Sequence, residues 1–355
     1  MGDGRILMGL LEKDVADFIE SRRADGFAKA TLKNYRGDLL KLQKTVGRRQ
    51  TSQVTPSDLD RLFAQEGEKI APASLNNLQA NLQAFFKWCR QRGRIPREYD
   101  PLEGRRFRKV IPTEKKRVPV SQFPALLEAA VNPRDRMIVA LGLYLLLRQG
   151  EIGDLRIGDV DLDSGQITCR IFKTKDMDIM PISAELDEEL RRWFRIYAEN
   201  AGPLQHHWYL VPSRRFTHGD WGPGGVQPNR LGQLLPEKHA NGIISAVQRA
   251  LTGIGWSMRR ADGKPENFGG HVLRRSAARA MFDELALEGY DGALRTVQAF
   301  LHHSSSQMTE KYLGLEVDRA IRDKKYTGKN MFPSLVAPNV VRLEVVNGEA
   351  DHHVV

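Results

Sequence analysis

The chain has 355 residues, 41% of them hydrophobic, and 54 Lys and Arg against 44 Asp and Glu, a formal net charge of +10. This length supports two sizeable cores, and its two cysteines, Cys89 and Cys169, both in apolar runs, read as buried thiols that leave no disulfide framework or cysteine zinc site. The longest apolar run, Met137 to Leu147, is too short for a bilayer, which needs about 20 helical residues, and the N-terminus does not resemble a secretory signal; a soluble, cytoplasmic, membrane-free protein is expected.

The charge is uneven. Residues 1–110 hold 22 Lys and Arg against 14 Asp and Glu, so +8 of the +10 lies there, and a polyanion partner is the natural reading. Residues 1–105 read as a four-helix unit. Leu11, Val15, Phe18 and Ile19 form one apolar stripe, and Leu32, Tyr35, Leu39 and Leu42 a second, with Thr31 as its cap. Thr55-Pro56-Ser57-Asp58 starts a third helix, and Leu75, Leu78, Leu82, Phe85, Phe86 and Cys89 line a fourth. From Asp100 to Pro119 the apolar period disappears. Arg105, Arg106, Arg108, Lys109, Lys115, Lys116 and Arg117 make this stretch a basic linker, residues 106–119, fit to touch a nucleic-acid backbone; a plain solvated tether is the alternative.

Residues 120–328 read as a second domain. A helix follows Ser121, and another from Arg134 to Leu147 is apolar all round, hence central. Val160 to Leu162, the turn Asp163-Ser164-Gly165, the alternating Ile167, Cys169 and Ile171, and Ile179 to Ile182 predict a small antiparallel sheet. Helices are expected at 184–199, 243–251, 271–288, 294–301 and 308–313, whereas Gly202 to Gly270 reads as a long loop region carrying one or two helices. Residues 329–355 form a tail whose VVRLEVV could add a strand. The fold class is therefore mainly α with a small antiparallel β-sheet, α+β.

Within this second domain the residue types suit phosphodiester chemistry. Arg148 and Arg274 offer planar forks that can each hold two phosphate oxygens. Glu151 lies within helical reach of Arg148 and could orient it. His271 precedes Arg274 by three residues, on one side of a helix. Lys173, at a bend between strands, could protonate a leaving oxygen; His303 could bond the phosphate; Tyr312 offers a phenol that can attack. Each has a plainer reading alone: a capping Arg, a structural His, a solvated Lys, a core Tyr. Their order and spacing together favour cleavage of a nucleic-acid strand without metal, cofactor or nucleotide. A metal site at His206-His207 or His352-His353 is the weakest alternative, because adjacent histidines on an extended chain point opposite ways.

LLLRQGEIGDL, HVLRRSAAR and LHHSSSQMTEKYL resemble, in that order, the Arg box, the HxLRHT/S box and the LGHSSxxxTxxYx motif of the tyrosine recombinases, the family of phage integrases, Xer and Cre proteins. The resemblance extends over nearly the whole chain, with residues 1–105 similar to the family's helical SAM-like core-binding domain and residues 120–328 to its catalytic domain. It implies that Arg148 and Arg274 bind the scissile phosphate and that Tyr312 forms a 3′-phosphotyrosine. His271 would assist proton transfer from the tyrosine, Lys173 would act as general acid, with Lys175 its rival, and His303 would contact the phosphate.

The resemblance further implies double-stranded DNA sites, a homotetramer on two of them that is monomeric or weakly associated when free, and a Holliday junction. Accessory DNA-bending or directionality proteins, a nucleoid-associated bacterial or phage-encoded setting, and a C-terminal tail reaching a neighbour through Ala320, Ile321 or VVRLEVV complete it. A mobile-element integrase or transposase is the expected role. The alternatives are DNA relaxation of the type IB topoisomerase kind and an inactive DNA-binding relative. One departure concerns His302, which stands where the motif usually has glycine; the spacing to Tyr312 selects His303, rather than His302, as the phosphate contact.

Overall fold

A computed structural model describes residues 10–110, 116–171, 176–216, 220–222, 225–227, 229–257, 259 and 268–315. The chain divides into two compact units, Met1–Thr113 and Glu114–Val355.

The first unit is built from α1 (Leu11–Ala24), α2 (Lys29–Val46), α3 (Pro56–Gly67) and α4 (Pro72–Gln91). Its core is the set of stripes read from the sequence, with Phe18, Leu39, Leu42, Leu78, Leu82, Phe85, Phe86 and Cys89 all buried. Phe18 meets Tyr35 and Phe85 edge to face, at centroid separations of 5.1 and 5.5 Å. The start of α3 is fixed reciprocally: Asp58 N–H donates to Thr55 Oγ1 at 3.2 Å, and Thr55 N–H donates to Asp58 Oδ2 at 3.0 Å. Thr31 is not a cap, because α2 begins two residues earlier, after Ala28.

The basic stretch after α4 is fastened as far as Arg108. Gln79 Nε2 donates to the Arg105 carbonyl at 3.0 Å, Asn76 exchanges two 2.9 Å bonds with the Arg108 backbone, and both guanidiniums lie over the Phe63 ring. A segment without apolar period is ordered here by amide side chains and cation–π contacts, which a periodicity reading cannot register.

The second unit centres on α6 (Pro133–Tyr144), which is buried on nearly every face and packs against α5 (Phe123–Glu128), α8 (Ala184–Ala201), α9 (Ile243–Gly253) and α10 (Gly270–Leu285). The predicted helix to Leu147 stops at Tyr144. The chain instead turns through Leu146, whose φ of 53° is left-handed, and starts α7 (Gln149–Asp154). Strands β1 (Val160–Asp161), β2 (Gln166–Ile171) and β3 (Asp176–Pro181) form the antiparallel sheet, with Ile171 paired to Asp176. The last helices among the described residues are α11 (Tyr290–Leu301) and α12 (Ser306–Leu313).

The stretch 202–270 contains α9 and two small antiparallel pairs, β4 (Ser213–Arg215) with β7 (Gln233–Leu235) and β5 (Trp221–Gly222) with β6 (Gly225–Val226). Arg134, buried at the start of α6, ties it to the core by donating to the Pro212 and Asn241 carbonyls at 2.6 and 2.7 Å. Arg249 Nε donates to the buried Asp135 at 3.1 Å. The 329–355 tail, with its VVRLEVV, lies outside the described residues, as do Ala320 and Ile321.

Gly142 sets the approach of α6 to α10, since a Cβ there would stand 2.9 Å from Leu273 Cδ1 and 3.3 Å from Leu273 Cβ. Leu273 is fully buried, and its Cβ, fixed to the α10 backbone, cannot swing aside as Cδ1 can. Gly142→Val is expected to lower stability by about 1–3 kcal/mol through overpacking, seen as a lower urea midpoint.

Candidate active site

The site grows from the two turns that interrupt helices. After Leu146 the chain delivers Arg148 at the head of α7, where Arg148 N–H donates to Glu151 Oε2 at 2.7 Å and its guanidinium to Oε1 at 2.8 Å. Glu151 is almost wholly buried, whereas the Arg148 side chain keeps 23% of its surface exposed, so the carboxylate holds the arginine by its back and leaves the fork an open side. Glu151 thus sits where the three-residue spacing puts it.

Arg274, on α10, is 1% exposed and is the centre of the site. One terminal nitrogen donates to the Leu146 carbonyl and the other to the Leu301 carbonyl at 2.6 Å, so a single guanidinium holds the turn after α6 and the last residue of α11. Its Nη1 also lies 3.7 Å from Glu151 Oε2. Burial and the neighbouring Arg148 push the Arg274 guanidinium down to about 10, which leaves it charged at neutral pH. Both turns pass through left-handed non-glycine residues, Leu146 and His302. Strain of this kind persists where the surroundings over-determine it, and at Leu146 the Arg274 fork grips the strained residue's own carbonyl.

The second turn leads from α11 through His302 to His303 and α12. His303 Nδ1 lies 3.1 Å from the buried Thr309 Oγ1, and its ring stands edge-on to Tyr312 at 5.3 Å. His302 faces away, with Nε2 2.7 Å from Asp178 Oδ2 on β3. The turn therefore sends His303, not His302, toward Tyr312.

Tyr312 lies near the end of α12, and its Oη is buried without an aligned hydrogen-bond partner among the described residues. Burial holds the phenol above its ordinary value, while Arg274, Arg275 and Arg148 pull it down by a smaller amount. A phenol raised in the fold favours the folded state below the unfolded value of about 10 and ceases to do so as pH climbs through the folded one. In a spectrophotometric titration, the tyrosinate step that Tyr312→Phe removes is expected above pH 10.

His271, exposed, opens α10 one turn before Arg274. Lys173 and its rival Lys175 lie outside the described residues, as does Lys115. Of the candidate DNA-contacting residues, Arg106, Lys109 and Lys116 are exposed, and Arg105 and Arg108 are half-buried over Phe63. Arg117 turns inward: its Nη2 donates to the Leu313 carbonyl at 2.8 Å, and Arg279 donates to the same oxygen at 3.2 Å. These two cations fix the C-terminal end of the helix that carries Tyr312.

Sequence reasoning missed Arg275 and Arg279 at the site. Their signal was present in HVLRRSAAR, where Arg275 follows Arg274 directly and Arg279 comes one helical turn after Arg275. No sequence signal marks the Leu146 and Leu301 carbonyls.

The profile of the phage integrase family matches residues 116–319, and that of the SAM-like N-terminal domain of phage integrases matches residues 12–93. Tyrosine recombinase XerC of Lactobacillus delbrueckii subsp. bulgaricus is 27% identical over 311 residues, covering 85% of this chain and 93% of that protein. XerC of Chromobacterium violaceum is 25% identical over 312 residues, covering 86% and 91%. Among solved structures, the lambda integrase tetramer bound to a Holliday junction aligns with a TM-score of 0.64 at 16% identity, covering 87% of this chain and 78% of that one. The Tn1549 transposon integrase in complex with transposon right end DNA gives 0.60 at 15% identity, covering 89% and 99%. With the catalytic-domain profile spanning most of the chain, this protein belongs to the phage integrase family and is a tyrosine-type site-specific DNA recombinase.

Proposed function

We propose that this recombinase moves a mobile element as an integrase or transposase, cutting and rejoining duplex DNA through a 3′-phosphotyrosine and a Holliday junction, without metal or ATP. The observation that supports the chemistry is that Arg148 and Arg274 meet on the buried Glu151, at 2.8 and 3.7 Å, while His303 stands edge-on to Tyr312 at 5.3 Å.

In the reaction, Arg148 and Arg274 bind the non-bridging oxygens of the scissile phosphate, where charge accumulates as the nucleophile enters. Tyr312 Oη attacks phosphorus and gives up its proton toward His271. The bond from phosphorus to the 5′ oxygen breaks, and Lys173 returns a proton to that oxygen. His303, edge-on to Tyr312, donates to the phosphate. Rejoining runs the same steps backward from the 5′ hydroxyl of the partner strand. Glu151 presents Arg148 and touches no reacting atom. The helical unit, residues 1–105, and the basic stretch 106–119 supply a DNA-holding surface in addition to that of the catalytic residues 120–328, and the tail 329–355 reaches a neighbour. The lambda integrase tetramer on a Holliday junction is the precedent for four protomers on two sites. Action on bacterial or phage DNA sets the reaction in the cytoplasm, with accessory DNA-bending or directionality proteins as partners.

The test is covalent capture. Nicked duplexes with a randomised core are incubated with the protein in EDTA and without nucleotide, so that cleavage releases a short strand and traps the adduct. A DNA-linked peptide containing Tyr312, and strand exchange between two copies of the selected sequence, are expected. Relaxation of an arbitrary plasmid with no exchange between selected sites would replace this reading by that of a topoisomerase.

A further inference from the structure

We infer that His302 is a positioning residue, which through Asp178 holds the β2–β3 hairpin against the turn that carries His303. His302 is an unfavourable residue for its place. It caps α11 with φ 50° and ψ 44°, a left-handed conformation that glycine adopts freely and that other side chains rarely take. It also buries Nδ1 with no hydrogen-bond partner among the described residues. Two local penalties on one side chain indicate a compensating interaction.

That interaction is the 2.7 Å contact between His302 Nε2 and Asp178 Oδ2, which joins positions 124 residues apart. At this distance Nε2 carries the hydrogen and the carboxylate accepts it. The bond is shielded on the imidazole side, where the side chain keeps 13% of its surface, and more open at Asp178, with 44%.

The two ends of this bond explain its use. His303, one residue past His302, stands 5.3 Å from the Tyr312 ring. Asp178 lies on β3 opposite Cys169, two residues along from Asp176, whose partner Ile171 forms the last pair of the β2–β3 ladder. The connection that follows in sequence, residues 172–175, contains Lys173, the proton donor of the proposed reaction. Asp178–His302 is therefore a direct strap between the strands flanking the acid and the turn flanking the nucleophile. The inference rests on the recombinase reading, and it assigns leaving-group protonation, rather than attack, as the step the strap serves.

A DNA sequence obtained by covalent capture is resynthesised in two forms, one ordinary and one with sulfur in place of the 5′ bridging oxygen at the scissile phosphate. A thiolate leaves without being protonated, so the sulfur form does not require the acid. His302→Gly, which also relieves the left-handed strain, and Asp178→Ala are each expected to slow single-turnover cleavage of the ordinary DNA by about 10- to 100-fold. Both should cleave the sulfur form at the wild-type rate. The double variant should be no slower than either single one, and Asp178→Asn, whose amide oxygen can still accept from Nε2, should recover part of the loss. Equal slowing on both forms, or no slowing on either, would overturn the inference while leaving the recombinase reading in place. Failure of the wild type to form an adduct with either DNA would remove both.

Discussion

Tyr312→Phe should yield a protein that folds and binds DNA normally and cannot cut it. The substitution removes one oxygen, the atom proposed to form the covalent bond to phosphorus. Loss of a covalent nucleophile leaves only the binding contribution to rate, so cleavage is expected to fall by at least about 10⁴-fold. The fold should not suffer. The Tyr312 hydroxyl is buried without an aligned partner, so deleting it removes a desolvation cost along with a polar group. Thermal denaturation of the variant should match wild type to within about 1 kcal/mol, or exceed it, and a gel-shift titration should give an unchanged DNA affinity. An adduct that persists in Tyr312→Phe would sink the assignment outright.

Arg274→Ala is expected to behave differently, failing in both chemistry and stability. The side chain bridges the Leu146 and Leu301 carbonyls and lies against the buried Glu151, so its loss takes the donor from both carbonyls. Each buried carbonyl left without its donor costs about 1–3 kcal/mol, whereas Glu151 keeps its two bonds to Arg148. The left-handed turn at Leu146, no longer held, should relax and take Arg148 with it. Loss of a single donor to developing charge lowers a rate by about 10²–10³-fold, and the displaced Arg148 adds to that. Arg274→Lys keeps the charge but not the fork, so it can satisfy one carbonyl and not both; it should recover part of the DNA affinity with little recovery of cleavage. Urea denaturation followed by circular dichroism, alongside single-turnover cleavage below the unfolding transition, separates the two losses.

The helical stripes, the antiparallel sheet and the order of the site residues were legible in the sequence because each rests on local spacing. The period of Leu11, Val15, Phe18 and Ile19 requires nothing beyond one helix, and the alternation of Ile167, Cys169 and Ile171 nothing beyond one strand. The end of α6 was not legible: eleven apolar residues continue to Leu147, and the turn at Leu146 is held by the distant Arg274. The inward turn of Arg117 was hidden for the same reason, since its partner is the Leu313 carbonyl, 196 residues away. The small strands of 202–270 are two or three residues long, too short for any period to develop. Choosing between His302 and His303 rested on counting residues to Tyr312; the left-handed turn that aims them apart has no glycine to announce it.

The contact of Gly142 with Leu273 bears on how finely the phosphate grip is set. Leu273 immediately precedes Arg274, and Gly142 lies on the helix that leads into Arg148, so the two arginines are separated by a backbone resting on a side chain rather than by two long side chains meeting. Rotamer fluctuations, which blur most distances between charged groups, have little purchase on such a spacing. The approach of α6 to α10 is in effect a gauge length built into the main chain. In the proposed reaction the same two cations fit the phosphate in the DNA, in the phosphotyrosine and in the rejoined strand, without favouring one so strongly that the reaction stops there.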